Sequence, residues 1–536
     1  MNALWLIIIG ILVFIAAYAT YGSWLAKEWG IDPSRKTPAH EINDGVDYVP
    51  AKPAVLLGHH FASIAGAGPI NGPIQAAIFG WVPVLLWIVI GSIFFGGVHD
   101  FGSLFASIRH KGKSIGEVIN TNMGHRGMQL FSVFAWLTLL LVVAAFTNIV
   151  ASTFVSVPAA ASTSLMFIAL AVVFGYAVYR KGMNLTVGTI IGVVLLFTMV
   201  WVGNVFPLSL SLNTWIIILM VYIFIASTVP VWILLQPRDY LNSFLLYAMI
   251  AGAVVGIVIF RPEIQLAPVT AFNVNGQWMF PMLFVIVACG AISGFHSLVG
   301  SGTTSKQLDN EKDAKIIGYG AMLIEGVLAI VALITAAYVT QGELAELLKG
   351  GPVNVFSNGV GTFMSKFGIP FDIGKSFVAL AVSAFALTSL DTATRLARFI
   401  FQEFFDKPGA AKQNPLTNMY VSTGITVLIG GYLAAGGYAR IWPIFGSANQ
   451  LLAGLSLLAV AVWLKKSGKN YHMITAPMIF MIIVTLTALV LLIQKNFVAG
   501  NYILVIFPIA LFILAIILAV EGYNILFGNK AVETKK

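Results

Sequence analysis

Asp391 lies in an otherwise uncharged stretch, Ala386-Leu387-Thr388-Ser389-Leu390-Asp391-Thr392, with hydroxyls on both sides. A carboxylate among hydroxyl oxygens can hold a proton or a hard cation such as Na⁺. In an apolar environment such a group costs several kcal/mol and needs a reason to be there. An ion pair with Arg395, one helical turn on, is the structural alternative for Asp391. His99-Asp100 is the next candidate, because an imidazole beside a carboxylate can relay protons near neutral pH. Glu325 sits among apolar residues, which favours the protonated carboxyl that a proton carrier uses. His59, His60 and His296 could contact a substrate carboxylate or take part in proton transfer. A metal site drawn from His59, His60, His99, Asp100 and His296 is a weaker alternative. Adjacent histidines project about 100° apart on a helix and do not easily share one ion.

These residues flank glycine-rich stretches. Phe61-Ala62-Ser63-Ile64-Ala65-Gly66-Ala67-Gly68-Pro69 aligns without gaps on Phe295-His296-Ser297-Leu298-Val299-Gly300-Ser301-Gly302-Thr303. Gly66, Gly68, Pro69, Gly72 and Pro73 interrupt the first stretch; Gly290, Gly294, Gly300 and Gly302 recur through the second. Glycine and proline weaken or break helices. In lipid, a broken helix survives only where protein or a watery cavity satisfies its backbone. Matched broken helices in two halves point to a transport site at the membrane midplane. The expected substrate-binding residues are therefore His60, Ser63, Gly66, Gly68, Phe295, His296, Ser297, Gly300, Gly302 and Thr303. The alignment places His296 before the second break, with half-helices restarting after Gly68-Pro69 and after Gly300-Ser301-Gly302. Their free N–H groups would suit a carboxylate. The expected ion-coupling residues are Thr388, Ser389, Asp391, Asp100 and Glu325. Arg238-Asp239 reads as a gate pair near the inner surface, and Asn71, Gln75, Asn449 and Gln450 as interhelical hydrogen-bonding groups.

The elements that must position these groups follow from composition. The chain has 536 residues, 59% hydrophobic and 10% charged. Soluble proteins carry roughly 25% charged residues, so the composition excludes a soluble enzyme, a nucleic-acid binder and a disordered chain. It implies an all-α polytopic membrane protein. Continuous apolar runs near 3–25, 55–79, 81–107, 128–156, 160–179, 184–205, 214–236, 241–260, 281–305, 315–340, 375–404, 416–435, 441–464, 472–494 and 500–527 suggest about 15 transmembrane helices. The first run lacks a basic leader and reads as a retained helix. By loop, 24 of the 30 Lys and Arg fall on the side of the C terminus. That excess places the C terminus in the cytoplasm and the N terminus outside. The single cysteine, Cys289, excludes an intrachain disulfide.

The stretches His40-Glu41-Ile42-Asn43-Asp44-Gly45-Val46-Asp47-Tyr48-Val49-Pro50, Gly58-His59-His60-Phe61, Val98-His99-Asp100-Phe101 and Leu235-Gln236-Pro237-Arg238-Asp239-Tyr240-Leu241 are similar to the carbon starvation protein A (CstA) family. So are Ser293-Gly294-Phe295-His296, Thr388-Ser389-Leu390-Asp391-Thr392-Ala393-Thr394-Arg395-Leu396 and Trp442-Pro443-Ile444-Phe445-Gly446-Ser447-Ala448-Asn449-Gln450. The resemblance implies an inner-membrane carrier for peptides or pyruvate. It also implies an inverted-repeat, LeuT-type core with extra helices, in which Thr388 and Ser389 match a sodium-site helix. The expected organisation is an N-terminal helix and cytoplasmic loop (1–53), a first repeat (54–260), a second repeat (281–464) and peripheral C-terminal helices (465–536). The expected partners are a small-molecule or peptide substrate and membrane lipid, with no nucleic acid and no cofactor beyond H⁺ or Na⁺ as coupling ion. The oligomeric state is left open. No phosphate-binding loop or zinc-protease motif is present, which leaves ion-driven transport ahead of an intramembrane enzyme, a channel or a sensor.

Overall fold

In the computed structural model the described residues are 2–45, 47–274, 276–405, 414–436 and 438–527. Lys407, Lys412, Lys530, Lys535 and Lys536 of the charge count, and Val46 of the family motif, lie outside them.

Eleven helices among the described residues are long and apolar enough to cross a membrane, and two shorter apolar helices, Leu212–Thr228 and Met419–Ala434, accompany them. Their composition explains their placement. Leu185–Val205 exposes Val187, Ile190, Ile191 and Val194 on the outside of the bundle. Glu311–Ala337 and Trp442–Lys466 are almost wholly enclosed. A helix that is apolar on all sides is stable either against lipid or deep inside a bundle, and both positions are used.

Two further helices are broken. The first runs as Pro53–Ile64 and Gly68–Ala76, separated by residues 65–67. The second runs as Met279–Ile286 and Gly294–Gly302, separated by residues 287–293. The two breaks face each other. A Cβ at Gly68 would lie 2.3 Å from Cys289 Sγ, and one at Gly72 would lie 2.6 Å from the Ile286 carbonyl oxygen. Glycine is required at both because any side chain would separate the breaks.

The second break differs from the sequence expectation. The matched segment Phe61–Pro69 crosses the first break, whereas Phe295–Thr303 lies beyond the second, in the half-helix that follows it. His296 therefore sits in the first turn after the break and not before it. Gly300 and Gly302 are within a helix, where Gly302 lets Leu396 of helix Phe371–Phe405 approach so closely that a Cβ would lie 2.2 Å from its Cδ2. The backbone opens at Ala288-Cys289-Gly290-Ala291 instead. Gly91 and Gly96, in a wide π-turn that interrupts Trp81–Arg109, let this opened strand approach: Cβ atoms there would lie 2.6 Å from Ala291 Cβ and 2.3 Å from its carbonyl oxygen.

Helix Phe371–Phe405 has 35 residues. At 1.5 Å per residue it is about 50 Å long, well beyond a hydrocarbon core of about 30 Å. It can therefore place Asp391 deep in the bundle and still carry Arg395 and Arg398 toward one end. Arg395 does not pair with Asp391. Its Nη2 donates to the carbonyls of Ala226, at 2.9 Å, and Val229, and its Nη1 lies 3.4 Å from Asp47 Oδ1. It closes the C-terminal end of Leu212–Thr228 and ties down the early polar loop. In that loop His40 Nε2 pairs with Asp309 at 2.7 Å, and the Asp44 carboxylate accepts from the amides of Asp47 and Tyr48 at 2.9 Å. Arg395→Met should lower stability by about 1.5–3 kcal/mol, the worth of hydrogen bonds to a charged donor. An unchanged thermal midpoint of the variant in detergent would refute this role.

Candidate functional site

Among the buried polar residues, one group gathers at each break. The first is built from the first broken helix, the start of helix Leu235–Phe260 and the middle of helix Phe371–Phe405. His59 Nδ1 is 2.9 Å from Asp239 Oδ2. Arg238 donates to Asp239 Oδ1 through Nη2 at 2.7 Å and through Nε at 3.0 Å. Its Nη1 donates to Asp391 Oδ2 and, at 2.5 Å, to the Tyr222 hydroxyl. Tyr222 in turn donates to Asp391 Oδ2 at 2.6 Å, and Thr388 Oγ1 donates to Asp239 Oδ1 at 3.1 Å. Asp239 and Asp391 are 0% exposed and Arg238 is 1% exposed. Arg238 is thus an internal bridge and not a surface gate. Pro237 and the family-like Gln236-Pro237-Arg238-Asp239 run begin this helix inside the protein, where its first turn offers charge to the centre.

Charge counting makes this group unusual. Two carboxylates share one guanidinium, with a histidine at the edge. With His59 neutral the group carries a net charge of −1. An uncompensated buried charge costs several kcal/mol, so a group with this charge count is costly to keep buried. Asp391 Oδ1 and His59 Nε2 have no hydrogen-bond partner among the described residues.

The same turns of helix Phe371–Phe405 also touch the first broken helix directly. Ser389 Oγ donates to the Ser63 carbonyl at 2.9 Å, and Ser63 Oγ is 3.3 Å from Thr392 Oγ1. Gly66 permits this, since a Cβ there would lie 2.6 Å from Ser389 Oγ. His60, one turn before the break, bonds Thr304 Oγ1 through Nδ1 at 2.8 Å and leaves Nε2 without a partner.

The second group surrounds the second break. Asp100 accepts from two rings, His99 Nδ1 at 2.7 Å and His296 Nδ1 at 2.9 Å. His296 Nε2 lies 3.5 Å from Glu325 Oε2. Ser297 Oγ donates to the Gly294 carbonyl at 2.7 Å and meets Ser456 Oγ at 2.8 Å. Phe295 is buried, and its amide donates to Asn449 Oδ1 at 2.8 Å. Asn449 therefore caps the second half-helix, which removes one of the donors expected for a carboxylate. Thr303 is buried, with Oγ1 unpartnered among the described residues. Gln450 Nε2 donates to the Phe284 carbonyl at 2.8 Å, a hydrogen bond between neighbouring helices as expected.

The structure thus divides the expected ion-coupling residues. Thr388, Ser389 and Asp391 gather at the first break, and Asp100 and Glu325 at the second. It also separates the metal candidates. His59 is drawn to Asp239 and His60 to Thr304, while His99 and Asp100 orient one another. Tyr222 escaped the sequence reading because an apolar helix gives no sign of which tyrosine turns inward. The pairing of Arg238 with Asp391, 153 residues apart, has no local signal either.

A bundle of apolar helices whose two broken members meet beside buried, hydrogen-bonded charges defines a polytopic membrane transporter. The comparisons with known proteins make the assignment specific. The chain belongs to the carbon starvation protein CstA family, whose profile matches residues 2–349 and 340–488. It is 34% identical to the peptide transporter CstA of Escherichia coli strain K12, over 91% of this chain and 80% of that protein. It is 32% identical to the pyruvate/proton symporter BtsT of the same strain, over 91% of this chain and 81% of that one. The peptide transporter CstA of Bacillus subtilis strain 168 is 33% identical, over 89% and 88%. These relatives are transporters and not enzymes. In fold the chain is similar to the Eremococcus coleocola manganese transporter, with a TM-score of 0.54 at 12% identity, covering 90% of this chain and 99% of that one.

Proposed function

We propose that the protein is a secondary active importer of small peptides or pyruvate-like carboxylates in the bacterial inner membrane, coupled to protons. The observation that carries this reading is the buried group in which Asp239 and Asp391 share Arg238. Its missing positive charge is the coupling ion. A proton on Asp391 or on His59 completes it, and loss of that proton leaves a charge that the surrounding helices must rearrange to accommodate. Helix Phe371–Phe405 transmits the change, because Ser389 and Thr392, on either side of Asp391 in the same turn, touch the first broken helix. A substrate carboxylate is held at the N terminus of the half-helix that starts at Gly68, where backbone N–H groups and the helix dipole favour an anion. His60 lies one turn before that break and supplies a side-chain donor. Peptides and pyruvate share the carboxylate that such a site recognises, and the similar proteins are a peptide transporter and a pyruvate/proton symporter.

We read the two broken helices as the first members of two inverted repeats in a LeuT-type core. The apolar helices together with the broken pair make fifteen spans, with the N terminus outside and the C terminus cytoplasmic. Alternating access then consists of rocking around the place where the breaks meet. The oxygens of Ser63, Ser389 and Thr392 favour a second reading with Na⁺ as the coupling ion. Uptake of labelled dipeptides and of pyruvate into proteoliposomes, with ΔpH and ΔNa⁺ imposed separately, tests both. The expected result is accumulation driven by an inward proton gradient alone. Accumulation driven only by Na⁺ would overturn the proton reading.

A further inference from the structure

We infer that the second break holds a binding site for a divalent transition-metal ion of the zinc type, formed by Cys289, His296 and Glu325. This inference is independent of the coupling ion proposed above and uses none of the Asp391 group. One ligand atom from each of the three residues lies within 4.8 Å of the other two, and all three residues are buried. They come from three different settings. Cys289 is on the opened backbone of the break, His296 is in the first turn of the half-helix after it, and Glu325 is on the enclosed helix Glu311–Ala337.

The hydrogen bonding prepares these atoms for a metal. Asp100 Oδ2 accepts from His296 Nδ1 at 2.9 Å, so the proton of the neutral ring is on Nδ1 and the lone pair on Nε2 faces Glu325. A carboxylate behind the distal nitrogen is the usual support of a metal-bound histidine: it fixes the tautomer and raises ligand basicity. His99 holds the other oxygen of Asp100 at 2.7 Å and so fixes that carboxylate. On the ligand side, His296 Nε2 and both carboxylate oxygens of Glu325 have no hydrogen-bond partner among the described residues. All of them are 0% exposed. Three unpartnered polar atoms converging at one buried point would cost several kcal/mol without a guest. The neighbour of Cys289 Sγ is the weak contact to Ser293 Oγ at 3.6 Å, which does not compete with a metal–sulfur bond.

The donor set selects the ion. Sulfur, imidazole nitrogen and carboxylate oxygen together suit Zn²⁺, Co²⁺ or Fe²⁺, whereas Mg²⁺, Ca²⁺ and Na⁺ want oxygen alone. Three protein ligands leave a fourth tetrahedral position open for water. On binding, the Cys289 thiol proton and any proton on the Glu325 carboxyl are released to solvent, and the metal binds the thiolate and carboxylate that remain. The bound ion would tie the break to helix Glu311–Ala337 and restrain movement between them.

The test uses the full-length protein purified in detergent and titrated with Co²⁺. Wild type is expected to bind one ion and develop the near-ultraviolet sulfur-to-cobalt charge-transfer band. Zn²⁺ should displace the Co²⁺ and raise the thermal midpoint. Cys289→Ser, which keeps the shape of the side chain, should abolish the band. Glu325→Gln should weaken binding more than Asp100→Asn does, and Asp100→Asn itself by about 10- to 100-fold. Gel filtration and the thermal midpoint without metal verify that each variant folds. Replacement of the exposed His472 should leave the band and the affinity as they are. A wild-type protein that binds Co²⁺ without the charge-transfer band, or with an affinity unchanged in Cys289→Ser and Glu325→Gln, overturns the assignment, because the ion is then held by surface groups.

Discussion

Asp391→Asn is expected to abolish accumulation of substrate against a gradient while exchange across the membrane continues. The asparagine keeps a hydrogen-bond acceptor for Tyr222 and Arg238 but cannot take and release a proton or bind a cation with its charge. The group then balances permanently, with Asp239 against Arg238, and the step driven by the coupling ion is gone. Arg238→Met should behave differently. It leaves Asp239 and Asp391 buried together with no cation, and breaking a buried pair from one side costs about 3–5 kcal/mol. The double variant Arg238→Met/Asp391→Asn removes one charge of each sign but leaves Asp239 without its cation, so it should recover only the part of that stability lost through Asp391, without recovering accumulation. Thermal unfolding in detergent and uptake into proteoliposomes separate the two effects. Unchanged accumulation by Asp391→Asn would remove this residue from the mechanism. A double variant as unstable as Arg238→Met would show that Arg238 acts through packing and not through charge.

Gly68→Ala should stop transport by forcing the two breaks apart. Its Cβ would lie 2.3 Å from Cys289 Sγ and 2.6 Å from Cys289 Cβ, inside any tolerated contact. Overpacking of this kind costs about 1–3 kcal/mol, and here the strain falls on the surfaces that must move against each other. Moving the methyl group to the other side tests the idea. In Gly68→Ala/Cys289→Gly the new Cβ meets only the Cys289 Cα position, 4.0 Å away. The double variant is expected to regain most of the stability lost by the single one. Equal loss in both would mean that Gly68 serves its own backbone and not the contact between breaks.

Much of the architecture is legible in the sequence. Long apolar runs mark helices because lipid and a close-packed bundle both exclude unpaired backbone groups. Each of the eleven long apolar helices coincides with such a run. The broken helices were also visible, since glycine and proline crowd residues 66–73 and glycine recurs through 290–302. The exact place of the second break was not. Gly300 and Gly302 look like a break in sequence, yet both lie within a helix, where Gly302 serves close packing against Leu396. Glycine has two uses in a membrane bundle, and composition does not distinguish them.

The candidate residues were legible for a similar reason. In a chain with 10% charge, each ionisable group inside an apolar run stands out, so Asp391, Asp100, Glu325 and the histidines could be named from sequence alone. Their partners could not. Neighbours along a helix are close in sequence, which made Arg395 the natural partner of Asp391. The side chain instead turns toward Arg238 and Tyr222 on other helices, and Arg395 turns away to the carbonyls of Ala226 and Val229. The sequence by itself determined that this is a helical membrane protein, where its helices lie and which few charges are buried. Only the tertiary structure decided how those charges divide into two groups, one in which Asp239 and Asp391 share Arg238 and one in which His296 and Glu325 converge beside Cys289. The reason is physical: burial is a property of a residue in its run, but compensation of a buried charge depends on which distant side chain packing brings within about 3 Å.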